Sequence, residues 1–160
     1  MSVRVAEPGD APAIARLYSQ LLGSDRVSVT PARLSQLKDD PATRLLVSVN
    51  DTGDVIATAL LCFCADAMFN DQPFAVVENI VVDEANRSAG IGTYLLSEIE
   101  RICLERDCSK IMLLSSATRT AAHRFFERHG FASATKRGFV KYRREFAASA
   151  HDPLKEGLNK

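Results

Sequence analysis

Arg87-Ser88-Ala89-Gly90-Ile91-Gly92 lies between a strand-like apolar run, Val76 to Val82, and a run with helical spacing that starts near Gly90. A glycine-bearing loop leading from a strand into a helix is suited to an anion. The first N–H groups of a helix have no intrahelical partner, and the helix dipole adds partial positive charge there. Glycine removes the Cβ that would hold a phosphate away from the backbone. Arg87 adds a permanent charge and a forked donor. Together these residues read as a pyrophosphate cradle and point to a nucleotide-bearing cofactor. The Gly-Lys-Ser/Thr step that grips a γ-phosphate is missing, which argues against a P-loop nucleotide hydrolase. Upstream, Glu78 and Asn79 interrupt Val76, Val77, Ile80 and Val81. An ionisable residue in such a run costs free energy unless it is paired or wet.

These residues need elements to position them. Val3 to Ala6 reads as a first strand, broken by Pro8-Gly9-Asp10. Asp10 is placed to cap a helix with Pro12 in its first turn, and Ile14, Leu17, Tyr18, Leu21 and Leu22 follow at helical spacing. Gly23 ends that helix, and Thr30-Pro31 opens a shorter one. Leu45–Val49 and Val55–Ala65 read as strands joined by a hairpin turn at Asn50–Asp54. Phe74–Val82 is the next strand. A stripe of Ile91, Leu95, Leu96, Ile99, Ile102 and Cys103 marks the following helix. Lys110–Ser115 reads as a strand, Thr118 or Thr120 as the cap of a helix ending at Gly130, and Gly138–Phe146 as a last strand. The order β-α-α-β-β-β-α-β-α-β predicts a mixed α/β sheet with helices on both faces. Residues 1–146 read as one domain, and 147–160 as a mobile tail.

Composition excludes several classes. Lys+Arg and Asp+Glu both total 20, so nothing favours nucleic acid or an anionic membrane as partner. No apolar run reaches the length of a membrane span, and the first residues lack the apolar core of a signal peptide. Cys62, Cys64, Cys103 and Cys108 match no zinc spacing, so no metal is expected. Reduced thiols in a cytoplasmic protein are the expectation.

Three segments in order resemble the GCN5-related N-acetyltransferase (GNAT) superfamily. The phosphate motif Gln/Arg-x-x-Gly-x-Gly/Ala is met by Arg87, Gly90 and Gly92. It follows the strand Glu78-Asn79-Ile80-Val81-Val82-Asp83. The later stretch Ala122-His123-Arg124-Phe125-Phe126-Glu127-Arg128-His129-Gly130-Phe131 is similar to the family's Ala-x-x-Phe-Tyr-x-x-x-Gly-Phe ending. The resemblance covers roughly residues 3–145. It implies the GNAT fold: a central, mostly antiparallel sheet of about six to seven strands with a V-shaped splay for acetyl-CoA. It also implies acetyl-CoA as cosubstrate. The pyrophosphate would rest on Arg87, Ser88, Ala89, Gly90, Ile91, Gly92 and Thr93. Main chain of Ile80, Val81 and Val82 would pair with the pantetheine arm. Ser116, Arg119 and Phe126 would flank the rest of the cofactor.

The implied chemistry is attack of a neutral amine on the thioester. An alkyl ammonium has a pKa of about 10, so a base must take its proton. Glu78 is the candidate base or amine anchor; the competing reading is a structural glutamate bonded to a neighbouring strand or helix end. Phe126 stands where many family members carry a tyrosine that protonates the leaving thiolate. Either the thiolate leaves unassisted, or Ser115, Ser116 or Tyr142 serves. Arg119 and Arg124 could meet the cofactor's 3′-phosphate or an anionic substrate; solvated helix charge is the competing reading. His123 reads first as a structural or surface residue. Arg26 and the Met68-Phe69-Asn70 loop lie where the fold borders its acceptor pocket. The expectation is N-acetylation of a small-molecule amine in a ternary complex. Acetylation of a protein or peptide amine, and a non-catalytic acyl-CoA-binding module, are the alternatives. A homodimer through Phe139-Val140 or Met68-Phe69 is possible by analogy with the fold.

Overall fold

The computed structural model describes residues 1–146, which fall into two compact units, Met1–Ser116 and a second beginning at Ala117. The expected tail, 147–160, lies outside the described residues.

The first unit holds β1 (Ser2–Val5), α1 (Ala11–Leu22), α2 (Pro31–Asp39), β2 (Thr43–Val49), β3 (Val55–Cys64), β4 (Phe74–Val82), α3 (Ile91–Glu105) and β5 (Ile111–Leu113). The strands form one sheet in sequence order. β1 to β4 pair antiparallel, and β4 pairs parallel with β5. The β2–β3 hairpin turns at Asn50–Asp54, where Asn50 Oδ1 accepts from the N–H of Thr52 at 3.1 Å and of Asp54 at 2.8 Å. The β4–β5 step is parallel because α3 crosses between them.

Helices cover both faces. Leu45 and Val47 of β2 pack with Ile14 and Leu17 of α1 and Leu34 of α2. Their alternates, Leu46 and Ser48, must point to the opposite face and are buried as well. α3 contacts β3 and β4 and buries Ile91, Leu95, Leu96, Ile99 and Cys103. β3 is therefore covered on both sides, and its first five residues are all buried. α2 starts as expected: Thr30 Oγ1 accepts from Arg33 N at 3.2 Å, with Pro31 in the first turn.

Five expectations change. The helix over Thr120–Arg128 is preceded by Arg119, and neither Thr118 nor Thr120 caps it. Asp10 is the residue before α1, but its carboxylate caps nothing there; it takes two bonds from Arg4, at 2.6 and 2.9 Å, and one from Glu7 N at 2.7 Å. Its oxygens are taken up by the Arg4 guanidinium, a charge-assisted donor, and by the Glu7 N–H. Ala6 lies outside β1, though its N–H still bonds Leu45 O at 2.8 Å. The Lys110–Ser115 strand shrinks to Ile111–Leu113 because only those residues find a register with β4. Gly138–Phe146 is not a strand; it holds a 3-10 turn at Arg143–Glu145, and Phe139, Val140, Tyr142 and Phe146 are exposed. An alternating pattern forms a strand only when its apolar side is buried and its edge is paired. The sheet thus has five strands among the described residues, against the six to seven expected.

The second unit holds α4 (Thr120–Arg128). Phe126 is its buried residue and meets Phe125 and Phe131 edge-on, with ring centroids 5.4 and 5.9 Å apart.

Candidate active site

β4 carries the first part of the site. Its register with β3 runs from Phe74 opposite Cys64 to Glu78 opposite Leu60, then slips: Val81 faces Thr58, so Asn79 and Ile80 together oppose Ala59. This is a β-bulge, and Asn79 takes φ 54 to make it. Asparagine tolerates that left-handed conformation better than the valines around it. The bulge places Glu78 and Val81 on one face of the sheet, the face of α1, since Leu60 and Val81 both pack in the α1 core.

The bulge lies next to a fork. β5 pairs with β4 only from Ala75 to Val77, ending at Val77 opposite Leu113. From Glu78 to Val82, β4 has β3 alone as ladder partner among the described residues. Ile80 and Val82 are half-buried and Val81 is buried, so the strand is held by its side chains while one backbone edge is left over. Ser115 and Ser116 follow β5. The Ser115 hydroxyl is buried and has no hydrogen-bond partner among the described residues, whereas Ser116 is exposed. A buried hydroxyl without a partner is rare and calls for an explanation.

β4 then delivers the chain to the loop. Asp83, 4 % exposed, anchors the turn Glu84–Asn86. It accepts from Ala85 N at 3.0 Å, Asn86 Nδ2 at 3.3 Å and Gln20 Nε2 at 3.4 Å, and pairs with Arg16 at 3.0 Å. Gln20 Oε1 in turn accepts from Glu84 N at 3.1 Å. Burial works to raise the Asp83 carboxyl, yet the bonds from Ala85, Asn86 and Gln20 and the Arg16 charge hold it below the usual carboxylate range. Two side chains of α1 thereby fix the approach to the loop.

In the loop, Arg87 is exposed and pairs with Glu84 at 3.3 Å. Ser88 and Gly90 take φ 70 and 76, with exposed Ala89 between them. Gly90 precedes α3 and supplies no side-chain cap. A Cβ there would meet nothing within 4 Å, so the space beside the loop is open. Ile91 drops into the core and pins the helix start; Gly92 is half-buried and Thr93 exposed. Residues 87–93 are thus an open helix start on a rigid mount, a fit to a pyrophosphate.

Glu78 is exposed and makes no hydrogen bond or ion pair among the described residues; its charge is felt at Cys62, whose thiol burial raises first, then the neighbouring Cys64 and Glu78. Asn79 lines a cavity of about 230 Å3 with Tyr18, Leu21, Leu22, Ser24, Arg26 and Val27. Arg26 uses its backbone N–H on Ser24, and its guanidinium has no partner among the described residues. Burial raises the Tyr18 hydroxyl, opposed by its bond to Thr58.

The first unit carries Glu78, Ile80 to Val82, Arg87 to Thr93 and Ser116 along β4, the loop after it and the segment after β5. Arg119 and Phe126 belong to the second unit: Arg119 is the exposed residue before α4, and Phe126 is buried within it. Met68 and Phe69 are exposed, and Asn70 takes φ 55. Among the described residues no cluster of three His, Cys, Asp or Glu could hold a metal, and no helix is long and apolar enough to cross a membrane. The sequence reading missed Asn79 as the bulge and Asp83 as the anchor. Asn inside an apolar strand, and Asp at its end before a turn, were the available signals.

A strand bulged beside a parallel fork, running into an open helix start, is the frame of an acetyl-transfer enzyme. The Acetyltransferase (GNAT) family model matches residues 13–131, and the chain belongs to that family. It is an acetyltransferase, and the family's acetyl donor is acetyl-CoA. Among its relatives, a Bacillus subtilis (strain 168) protein named "Putative phosphinothricin acetyltransferase YwnH" is 29 % identical over 140 residues, 82 % of this chain and 84 % of that one. A solved structure, "Putative acetyltransferase from Agrobacterium tumefaciens str. C58", is 31 % identical with TM-score 0.81, covering 89 % of this chain and 100 % of that one. The fold also matches glucosamine-6-phosphate N-acetyltransferase from Arabidopsis thaliana, at 21 % identity and TM-score 0.77 over 89 % and 97 % of the two chains.

Proposed function

We propose that the chain N-acetylates a small-molecule amine, by direct attack on acetyl-CoA, and that the acceptor also carries an anionic group. The observation that carries this reading is Glu78. It is a carboxylate without a hydrogen bond among the described residues, on the bulged strand, one residue from a cavity lined by Arg26. At about 30 Å3 per water, a cavity of about 230 Å3 suits a molecule of roughly eight non-hydrogen atoms. That is the scale of a small amine. The relative named for phosphinothricin acetylation supports a small acceptor.

When bound, acetyl-CoA supplies an acetyl thioester. Arg87 to Thr93 would hold its pyrophosphate, and the free backbone edge of Ile80 to Val82 its amide-bearing arm. Glu78 takes the proton of the ammonium, directly or through water, so that a neutral amine attacks. Phe126 has no proton to give. The unpartnered Ser115 hydroxyl, beside the fork, is the donor to the departing sulfur. Ser116 and Arg119 would border the cofactor's flanks. Residues 1–146 would act as one domain, in the cytoplasm.

The test is thiol release from acetyl-CoA across matched amines: amino acids, their neutral methyl esters, and peptides with free N-termini. Release with the small amines, best with those bearing a carboxylate or phosphorus acid, is the expected result. Release with peptides alone would move the assignment to protein acetylation. Acetyl-CoA binding with no release across the panel would leave a binding module.

A further inference from the structure

α3 ends in a cap built from two cysteines. Cys108 N donates to Cys103 O at 2.9 Å, and Asp107 N to Leu104 O at 3.0 Å, with Asp107 at φ 54. These two bonds and the left-handed residue define a Schellman cap, in which the side chains five apart at its ends come into contact. In most such caps that contact is apolar; here both side chains are thiols. The two line one surface cavity of about 250 Å3 with Glu100, Leu104, Lys110 and Ile111. Cys103 is buried and Cys108 half-buried.

A disulfide requires Cα atoms about 4.4–6.8 Å apart. A 2.9 Å bond from the amide of one cysteine to the carbonyl of the other limits their Cα separation to roughly 7 Å by covalent geometry alone. The backbone therefore already stands at bridging distance. Two features set the order of events. Cys108 is the more exposed of the two; burial raises its thiol, and the neighbouring Cys103 and the Arg106 charge work against that rise. Cys103 lies beneath it; burial, then the Cys108 charge and hydrogen bond, push its thiol up to about 12, so it stays protonated until its partner reacts.

We propose that Cys103 and Cys108 form a reversible dithiol–disulfide pair that closes across the C-terminal cap of α3, with a small disulfide such as oxidised glutathione as oxidant. The Cys108 thiolate attacks one sulfur of the oxidant, forming a mixed disulfide and breaking the oxidant's S–S bond; the first thiol leaves with the proton Cys108 gave up. The Cys103 sulfur then attacks Cys108 Sγ, its proton passing to the second departing thiol. Two protein thiols are oxidised, and one disulfide is reduced to two thiols. Cys62 and Cys64 lie two apart on β3, on one face of an extended strand, and have no such cap to draw them together.

The experiment equilibrates the full chain in glutathione buffers of graded potential, then counts free thiols and maps cross-linked peptides by mass spectrometry. The chain has four cysteines, and two of the four thiols should disappear in one two-electron step, with residues 103 and 108 joined. Cys108→Ser should lose no thiol pair, and Cys103→Ser should stop at a mixed disulfide on Cys108. A Cys62→Ser/Cys64→Ser variant, which leaves the cap untouched, should behave as the wild type. Retention of all four thiols in fully oxidising buffer, or a bridge joining any other pair or two chains, would overturn the proposal.

Discussion

Glu78 is where residue-scale physics bears most on function. It stands on a valine-rich strand, yet its side chain is exposed to solvent just before the bulge at Asn79. Since it bonds to nothing among the described residues, Glu78→Gln removes a proton acceptor and no structural contact. The expected outcome is a kcat lower by about 100-fold or more, within the range of general-base contributions. The KM for acetyl-CoA and the thermal midpoint should hold. An unchanged kcat near neutral pH would remove Glu78 as base. The sequence showed a charge in the strand, but the charge was equally consistent with a buried structural pair. Only the folded environment separates the two, because the exposure of Glu78 depends on what packs over its stretch of β4.

At the scale of elements, α1 and the β4–α3 connection act together through Asp83. Asp83→Ala takes the acceptor from Ala85 N and leaves Arg16 without its carboxylate. Loss of such a buried acceptor costs about 1–3 kcal/mol. For a chain of this size that lowers the thermal midpoint by roughly 2–12 °C. The pH dependence has a definite sign. The folded-state pKa of Asp83 is depressed, so its stabilisation is complete above the unfolded value of about 3.9 and is lost as pH falls through the folded value. The gap between wild type and Asp83→Ala, followed by thermal melts, should therefore be widest near neutrality and close in acid. A gap independent of pH down to the acid limit would mean the carboxylate charge is not what holds the turn. The α1 helix itself was legible from its 3.6-residue spacing. Its Arg16 and Gln20 were not, because a polar helix position reveals nothing about the distant loop it will reach.

Across the whole first unit, the cavity proposed for the acceptor is assembled from three separate stretches: α1, the loop after it, and the bulge of β4. Arg26 is the test of its chemistry. A charge-assisted hydrogen bond is worth about 1.5–3 kcal/mol, so Arg26→Ala should raise the KM for anionic acceptors by roughly 10- to 100-fold. Neutral esters of the same amines and acetyl-CoA itself should be unaffected. An equal loss for charged and neutral acceptors would make Arg26 a packing residue.

The sequence by itself determined the family, the donor and the order of elements up to α4. Those rest on local physics: glycines that permit positive φ, caps that start helices, apolar spacing that chooses helix or strand. It also held the two cysteines of the α3 cap, five apart, though nothing in the spacing joined them. The tertiary structure alone decided the exposure of Glu78, the bulge after it, the fork at Val77, the loss of a strand over Gly138–Phe146, and the cavity around Arg26. Each of these depends on which partner a backbone edge or a side chain finds. That choice is made by the packing of residues far apart in the chain.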